Sequence, residues 1–88
     1  MDPYEWDEAK NAANRLKHGV TFEVIAGLDW SAATIVPDDR FDYGEARMMA
    51  YGWIDGRAHA VAFVVRGDRV RIFSMRYMHD KEIRRYVI

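Results

Sequence analysis

Two short turns in the second half of the chain constrain its fold more than any other feature. Asp55-Gly56 and Gly67-Asp68 each separate two stretches that are rich in β-branched and aromatic residues. Two-residue loops of this composition favour type I′ or II′ turns, which connect neighbouring antiparallel strands. We therefore predict a three-stranded antiparallel meander over residues 46–54, 57–66 and 69–76.

Tight turns also fix the register of the strands, and the register decides which side chains share a face of the sheet. The predicted face one is mainly aliphatic and includes Ala50, Ile54, Val61, Phe63, Ile72, Ser74 and Arg76, the last opposite His59. The predicted face two includes Arg47, Tyr51, Ala60, Ala62, Arg66, Arg69, Arg71, Phe73, Met75 and Tyr77. Because face one is the more continuously apolar, we expect helices to cover it and to leave face two open.

Residues 7–28 have the spacing of a helical hairpin. Asp7 is a candidate N-cap, and it precedes an apolar face at helical spacing that consists of Ala9, Ala12, Ala13 and Leu16. We expect this alanine-rich face to approach its packing partner closely. Gly19 can end the first helix, and Thr21 is a candidate N-cap for a second.

The remaining segments complete an α+β fold. Residues 4–6 could form an edge strand, residues 31–36 are predicted to form a strand that Pro37 stops, and residues 37–44 read as a loop. Asp80 can cap a short C-terminal helix that turns Ile83, Tyr86 and Val87 inward. The predicted architecture is two N-terminal helices packed on an antiparallel sheet, in a single domain spanning residues 1–88.

Charge excludes one class of function and leaves another open. The net charge of the 88 residues is −1, which argues against a protein that coats nucleic acid through bulk basicity. Residues 1–44 carry four basic and nine acidic side chains, whereas residues 45–88 carry nine basic and five acidic ones. The chain has no cysteine, no signal-peptide pattern and no apolar run of membrane-spanning length, so we expect a cytoplasmic protein that contacts no membrane.

The predicted register gathers Arg47, Arg66, Arg69 and Arg71 near one end of face two. Such guanidinium groups repel one another unless an anion or carboxylates lie between them, and Glu45, Asp68 and Asp42 are the candidate carboxylates. The cluster is either an anion site or a set of solvated side chains whose stems cover apolar surface. His18 is similarly either a catalytic group or a residue that interacts with a helix C-terminus.

Other chemistries have weaker support in the sequence. His18, His59 and His79 lack metal-ligand spacing, so we expect no metal and no other cofactor. Asp38, Asp39 and Asp42 could hold a hard cation, but their run lacks the alternating ligands of a calcium loop.

Several short motifs follow one another along nearly the whole chain. Those of the N-terminal part are Tyr4-Glu5-Trp6-Asp7-Glu8-Ala9-Lys10, Asn14 and Lys17-His18-Gly19-Val20-Thr21-Phe22-Glu23. Those of the C-terminal part are Asp42-Tyr43-Gly44-Glu45-Ala46-Arg47, Gly52, Asp55-Gly56-Arg57, Arg71-Ile72-Phe73-Ser74-Met75-Arg76, Glu82 and Tyr86. The order and spacing of these motifs resemble the BrnT-type toxins of type II toxin–antitoxin systems. Met75 departs from that family, which usually has alanine there.

This resemblance implies a RelE-like fold and a toxin that cleaves RNA and thereby inhibits translation. It implies a BrnA-like antitoxin with a ribbon-helix-helix domain, and contact with operator DNA only through that antitoxin. Arg47, Arg71 and Arg76 occupy the family's arginine positions, and Lys17-His18 its Lys-His-Gly corner.

The mechanism expected from these residues is metal-independent cleavage by the 2′-hydroxyl of RNA. Arg47 and Arg71 would stabilise the transition state, with Arg66 and Arg69 holding the RNA backbone. His18 is the first candidate for the general base and Glu45 the second. Tyr51 or Trp53 could stack on a base if exposed.

Two alternatives remain open at this point. The domain could be a catalytically inactive module that binds an antitoxin and acts as an operator co-repressor, with its arginines meeting acidic residues of the partner. It could also bind a small anionic ligand in a pocket.

Overall fold

A five-stranded sheet organises the fold, and the two tight turns connect its central strands. The computed structural model describes residues 2–40, 42–86 and 88 of the chain. Its elements are β1 (Tyr4–Glu5), α1 (Glu8–His18), a 3₁₀ helix (Phe22–Gly27), β2 (Thr34–Pro37), β3 (Met48–Ile54), β4 (Arg57–Arg66), β5 (Arg69–Tyr77) and α2 (Asp80–Tyr86). The strand order is β1-β5-β4-β3-β2. None of the described helices is long and apolar enough to cross a membrane.

The predicted meander of β3, β4 and β5 is confirmed. Ile54 pairs with Arg57 across the first turn, and Arg66 pairs with Arg69 across the second. Asp55 adopts a φ of 49°, a left-handed conformation that a type I′ turn requires and that aspartate tolerates. The sheet as a whole is mixed, not antiparallel as expected, because β1 pairs with β5 in parallel.

A β-bulge at Phe73 changes the register in the second half of β5. Phe63 pairs with Ile72, whereas Ala62 pairs with Ser74, so Phe73 is the extra residue. The predicted pairing of Arg76 with His59 is therefore wrong: Arg76 pairs with Ala60, and Tyr77 takes the position opposite His59. The shift moves Ser74 and Arg76 to face two.

The bulge also moves Met75 in the opposite direction. Met75 pairs with Val61 and is fully buried in the core on face one, not on face two as predicted. The methionine that departs from the family pattern therefore fills the core, while its neighbours Ser74 and Arg76 lie on face two.

Face one is covered as predicted, mainly by the 3₁₀ helix and its flanking residues. The main core joins Val20, Phe22, Ile25 and Leu28 to Ala50, Ile54, Val61, Phe63, Ile72 and Met75. Face two is only partly open, because Ile83 and Tyr86 of α2 pack against a second cluster that contains Met49, Tyr51 and Ala60. The inward orientation of Ile83 and Tyr86 agrees with the sequence, and Val87 lies outside the described residues.

The predicted helical hairpin contains only one α-helix. Asp7 caps α1 as expected, since its side chain accepts hydrogen bonds from the backbone N–H groups of Ala9 and Lys10. The second predicted helix is the 3₁₀ helix, and Thr21 does not cap it through its side chain. Instead, the Phe22 N–H donates to Oδ1 of Asn11 at 2.8 Å.

The prediction for the packing face of α1 is also wrong. The buried residues of α1 are Asn11 and Asn14, whereas its apolar positions Ala9, Ala12, Ala13 and Leu16 are exposed. The Asn14 amide accepts from the Met75 N–H at 3.2 Å and donates to the carbonyl oxygens of Met75 and Val20 at 2.8 and 2.9 Å. β1 pairs only with Val70 and Arg71 of β5. The Asn14 amide therefore pairs the Met75 backbone groups, which lie on the same strand beyond the reach of β1.

Candidate functional site

The four arginines predicted to cluster on face two form two pairs, and each pair shares a carboxylate. Arg66 donates to both oxygens of Glu45 at 3.2 and 2.9 Å, and Nε of Arg47 lies 3.5 Å from Oε1 of the same group. Arg69 and Arg71 donate to the two oxygens of Glu5 at 3.1 and 2.8 Å. Because Arg66 pairs with Arg69 across the second turn, the two carboxylate-linked arginine pairs lie next to each other there.

Glu45 was among the carboxylates considered from the sequence, whereas Glu5 was not. Glu5 reaches Arg71 because β1 pairs with β5 over a separation of 66 residues, which no local pattern signals. A hydrogen bond from Arg71 lowers the pKa of Glu5, and one from Arg66 lowers the pKa of Glu45. Both carboxylates are therefore charged at neutral pH and offset part of the positive charge.

The ring of Phe73, the bulged residue, lies among several cations. The Arg47 guanidinium sits 3.8 Å from the centre of this ring and 4.2 Å from that of Tyr43. Nζ of Lys10 lies 5.5 Å from the Phe73 ring centre, and the Arg66 guanidinium 6.0 Å. Stacking against these two rings fixes the plane of the Arg47 guanidinium and hence the directions of its N–H donors.

A cleft lies beside Phe73, between α1 and β5; we call it the α1–β5 cleft. Its volume is about 260 Å³, and its lining consists of Lys10, Ala13, Asn14, Lys17, His18, Phe73 and Ser74. No carboxylate contributes to this lining, whereas two lysines do. The cleft thus combines an aromatic ring, one imidazole and two lysines that form no ion pair with any residue the structure describes.

His18 is positioned by the end of α1. The helix stops at Gly19, whose φ of 72° is a left-handed conformation suited to glycine, and His18 occupies its last turn. Burial lowers the pKa of His18, and the positive charges of Lys17 and Arg76 lower it further. The imidazole is consequently neutral near pH 7 and can accept a proton.

Arg76 pairs with a different carboxylate from those that bind Arg47, Arg66, Arg69 and Arg71. It donates to both oxygens of Glu82 at 2.7 and 2.8 Å and lines a second cleft of about 390 Å³ on face two. We call this the β2–α2 cleft; its polar and aromatic lining includes Asp38, Asp39, Arg40, Tyr51, Arg76, Arg85 and Tyr86. Asp38 binds Arg40 at 2.8 Å, so this loop carboxylate already has an internal cation as its partner.

The aromatic candidates for base stacking differ in exposure. Tyr51 is only 6% exposed, and its ring stacks on Tyr86 with the ring centres 3.9 Å apart. Burial raises the pKa of Tyr51 to about 12. Trp53 is 44% exposed, so of these two rings it is the one that solvent reaches.

The structure thus gathers some predicted site residues and separates others. Lys17 and His18 share the α1–β5 cleft, Arg47 and Arg66 border its Phe73 wall, and Arg69 and Arg71 lie along the same strand. Lys10 was not predicted as a site residue, and Phe73 was predicted only to lie on face two. Among the described residues, no group of three His, Asp or Glu side chains could hold a metal ion.

Comparisons with known proteins identify a family. A family model described as "Ribonuclease toxin, BrnT, of type II toxin-antitoxin system" matches residues 6–82. The chain is also similar to the 1.1 Å crystal structure of the Brucella abortus ribonuclease toxin BrnT. The TM-score is 0.73 at 27% sequence identity, and the match covers 91% of this chain and 100% of that one. No curated protein matches the chain. Because the family match spans most of the sequence, this chain belongs to the family of BrnT ribonuclease toxins of type II toxin–antitoxin systems.

Proposed function

We propose that the chain is a metal-independent endoribonuclease whose reaction takes place at the α1–β5 cleft. The 2′-hydroxyl of one nucleotide attacks the adjacent phosphorus, so that an O2′–P bond forms and the P–O5′ bond breaks. The products are a 2′,3′-cyclic phosphate and a 5′-hydroxyl. The leaving 5′-oxygen takes its proton from water, and the base that removed the proton of the 2′-hydroxyl returns it to the hydroxide that remains. Cleavage of RNA in this way inhibits translation.

The observation that carries this proposal is the composition of the cleft. It brings a neutral imidazole within the same small space as Lys10 and Lys17, and no carboxylate lines it. His18 accepts the proton of the 2′-hydroxyl, since an imidazole with a lowered pKa is ready to do so at neutral pH. The lysines attract the phosphate backbone and hold it there.

The arginines next to the cleft stabilise the charge that develops on the phosphate. Arg47 is held flat between Phe73 and Tyr43, and its Nε–H makes no hydrogen bond among the described residues although it is buried. Arg71 lies two residues before Phe73 on the same strand and shares Glu5 with Arg69. Fixed donors of this kind act most strongly where charge increases in the transition state.

We assign supporting roles to the remaining residues of the predicted site. Arg66 and Arg69 bind the RNA backbone beyond the cleft, and Arg76 acts on His18 through its charge. Tyr51 supports Tyr86 in the β2–α2 cleft, where a base could reach the Tyr86 side of the stack.

Membership of a type II system implies an antitoxin as the partner. From the family resemblance we propose that this antitoxin carries a ribbon-helix-helix domain and that the toxin reaches operator DNA only through it.

The test is cleavage of a single-stranded RNA by the purified chain in the presence of EDTA. We expect dose-dependent cleavage with 2′,3′-cyclic phosphate ends, reduced about 100-fold or more in His18→Gln and Arg71→Ala. Arg71→Ala stays folded because Glu5 keeps its bond to Arg69, and Arg84→Ala, an exposed arginine on α2, is the matched control. Arg71→Ala should likewise abolish growth arrest on expression.

Two results would contradict the proposal. A folded Arg71→Ala variant that arrests growth as the wild type does would remove Arg71 from the mechanism. Binding of the antitoxin without any cleavage of RNA would instead support the inactive co-repressor module.

A further inference from the structure

We propose that the exposed face of α1 opposite its asparagines is the surface on which the antitoxin docks, through an amphipathic helix with acidic side chains along one border. We call it the outer face of α1; it consists of Ala9, Ala12, Ala13 and Leu16. A helix bound there also closes the α1–β5 cleft. The closure rests on the function proposed above, whereas the docking surface does not.

Leu16 is the most conspicuous residue of the outer face. It is 90% exposed, which is more than any other large hydrophobic residue in the described part of the chain; Val65 follows at 59%. A leucine held in water on a rigid helix gains free energy when a partner covers it, because its apolar surface is then removed from solvent. The outer face is therefore a surface that lacks a partner in the isolated chain.

The polar packing of α1 explains why this face is left uncovered. Asn11 and Asn14 bind the backbone of the 3₁₀ helix and of β5, so they must point inward. In an α-helix the residues about half a turn away then point outward, and these are Ala9, Ala12, Ala13 and Leu16. Three alanines beside a leucine allow another helix to approach closely and to enclose the leucine side chain.

The charges that flank the outer face indicate the chemistry of the partner. Lys10 and Lys17 lie along one border, and Arg15 lies on the other. None of the three forms an ion pair with any residue that the structure describes. This contrasts with the arginines of face two, which share Glu5 and Glu45. Carboxylates supplied by a partner would complement the unpaired cations and guide association.

An antitoxin fits this surface better than a second copy of the chain does. An antiparallel pairing of two outer faces would place the lysines of one copy beside the lysines of the other, and like charges repel. A helix with an apolar face and an acidic border has no such conflict. Recognition through apolar anchors on one helix face is also a common mode by which a protein binds a partner segment.

Docking at this surface would also explain how the toxin is silenced. Ala13 belongs both to the outer face and to the lining of the α1–β5 cleft, and Lys10 and Lys17 border both. A helix seated on Leu16 with carboxylates on the lysines would occupy the approach to His18 and remove the cations that attract RNA. Antitoxin and RNA should therefore compete for the chain.

The experiment measures the affinity of the purified chain for the antitoxin encoded in the same operon, with Leu16→Gln as the test variant. Glutamine keeps helix propensity and length but lacks the apolar side chain, and because Leu16 is exposed the substitution removes no contact from the core. We expect the Kd to rise about tenfold or more, as for the loss of an anchor residue. Val65→Thr, at the second most exposed hydrophobic position, should leave the Kd within about twofold.

Two further measurements separate the parts of the proposal. Unlabelled RNA should raise the apparent Kd for the antitoxin in the wild type, and an RNA that binds without competing would overturn closure of the cleft. Leu16→Gln should still cleave RNA but resist inhibition by the antitoxin. If the wild type cleaves no RNA, the proposed function fails, while the effect of Leu16→Gln on antitoxin binding still decides the docking surface.

The docking surface is overturned if Leu16→Gln binds the antitoxin as tightly as the wild type while remaining folded by circular dichroism. Sedimentation of the wild type and of Leu16→Gln tests whether a second copy of the chain binds the outer face of α1. A wild-type dimer that Leu16→Gln converts to a monomer, with unchanged antitoxin affinity, would assign the outer face to a second copy instead.

Discussion

At the scale of single residues, the two asparagines of α1 connect folding to function. Asn11 and Asn14 fill positions that an amphipathic helix usually gives to apolar side chains, and they use their amides to pair backbone groups of neighbouring segments. They also hold α1 so that Lys10, Lys17 and His18 face β5. The placement of the cleft therefore depends on hydrogen bonds rather than on apolar packing of the helix.

We predict that Asn14→Leu strongly destabilises the chain. The substitution leaves the Met75 N–H and the carbonyl oxygens of Met75 and Val20 without their partner, and each buried unpaired group costs about 1–3 kcal/mol. We expect the free energy of unfolding in urea to fall by about 3 kcal/mol or more. Ala12→Ser, on the exposed side of the same helix, should change it by less than about 0.5 kcal/mol. Equal stability of Asn14→Leu and the wild type would contradict this account of the helix.

We predict that His18 takes up a proton at a lower pH than an ordinary histidine does. Its pKa lies below the ordinary value of 6.5 because of burial and of the charges on Lys17 and Arg76. If His18 is the general base, cleavage should be constant near neutral pH and fall only when the pH drops below about 6.5. Lys17→Gln removes one cause of the lowered pKa, so the acidic midpoint should move upward. NMR titration of the imidazole checks the shift without RNA, and a midpoint above 6.5 in the wild type would refute it.

At the scale of elements, an ion pair, an aromatic stack and a hydrogen bond from Thr34 of β2 to the Tyr86 carbonyl oxygen attach α2 to the sheet. Arg76 of β5 binds Glu82 with two short hydrogen bonds, and Glu82 also accepts from the His79 N–H at 3.0 Å at the start of the helix. Tyr86 stacks on Tyr51 near the other end. The bulge at Phe73 makes this attachment possible, since without it Arg76 would lie on the opposite face of the sheet.

We predict that this attachment weakens in acid in a defined pH window. Arg76 lowers the pKa of Glu82 from its ordinary value of 4.5 to about 2. The ion pair therefore contributes its full stability above pH 4.5 and loses it as the pH falls through about 2. Glu82→Gln should be less stable than the wild type at pH 7, and the difference should shrink between these two pH values. Thermal unfolding across this range measures the difference, and a gap that does not depend on pH would contradict the assignment.

At the scale of the whole molecule, a net charge of −1 coexists with an α1–β5 cleft that two lysines line. Glu5, supplied by the acidic first half, lies between two arginines of the second half, so the two halves neutralise each other locally. Lys10 and Lys17 also come from the first half but remain unpaired in the described structure. At the α1–β5 cleft itself, the cations available to an RNA are these two lysines and the neighbouring Arg47 and Arg66.

This distribution predicts a modest salt dependence of RNA binding. Each phosphate contact on a single strand contributes about 0.7 to the slope of log K against log salt concentration, so about four contacts give a slope near −3. The cleavage-deficient His18→Gln variant allows binding to be measured by fluorescence anisotropy. Adding Lys10→Gln to that variant should reduce the slope by about 0.7. A slope that stays unchanged would place Lys10 outside the RNA-binding surface.

The sequence predicted the parts of this fold that are encoded locally. Asp55-Gly56 and Gly67-Asp68 fixed three strands, and the register follows the prediction as far as Phe63 and Ile72. The bulge could not be foreseen, because Phe73 fits a regular strand equally well and only packing against both faces selects the shift. The parallel pairing of β1 with β5 depends on contacts between distant parts of the chain.

For the candidate site too, the sequence predicted some features and missed others. The arginine cluster was predicted from the turns, and in the structure its four members form two pairs that each share a carboxylate. The α1–β5 cleft was not foreseen, because hydrophobic periodicity assigned the alanine face of α1 to the core. In the structure, the backbone groups of Met75 and Val20 require partners that only the amide face supplies, and this requirement outweighs the burial of small alanine side chains.

The two outer strands of the sheet are short, and this limits how copies of the chain can aggregate. β1 has two residues, and β2 has four, of which Pro37 lacks an N–H to donate. Beyond β1, the Asn14 amide pairs the Met75 backbone groups on β5. Few backbone N–H and C=O groups at the sheet edges are therefore free to pair with a strand from another molecule. Such edge-to-edge pairing of strands is the usual route to fibrous aggregates. When copies of this protein are crowded, they should accordingly associate through side-chain surfaces and not by adding strands to the sheet.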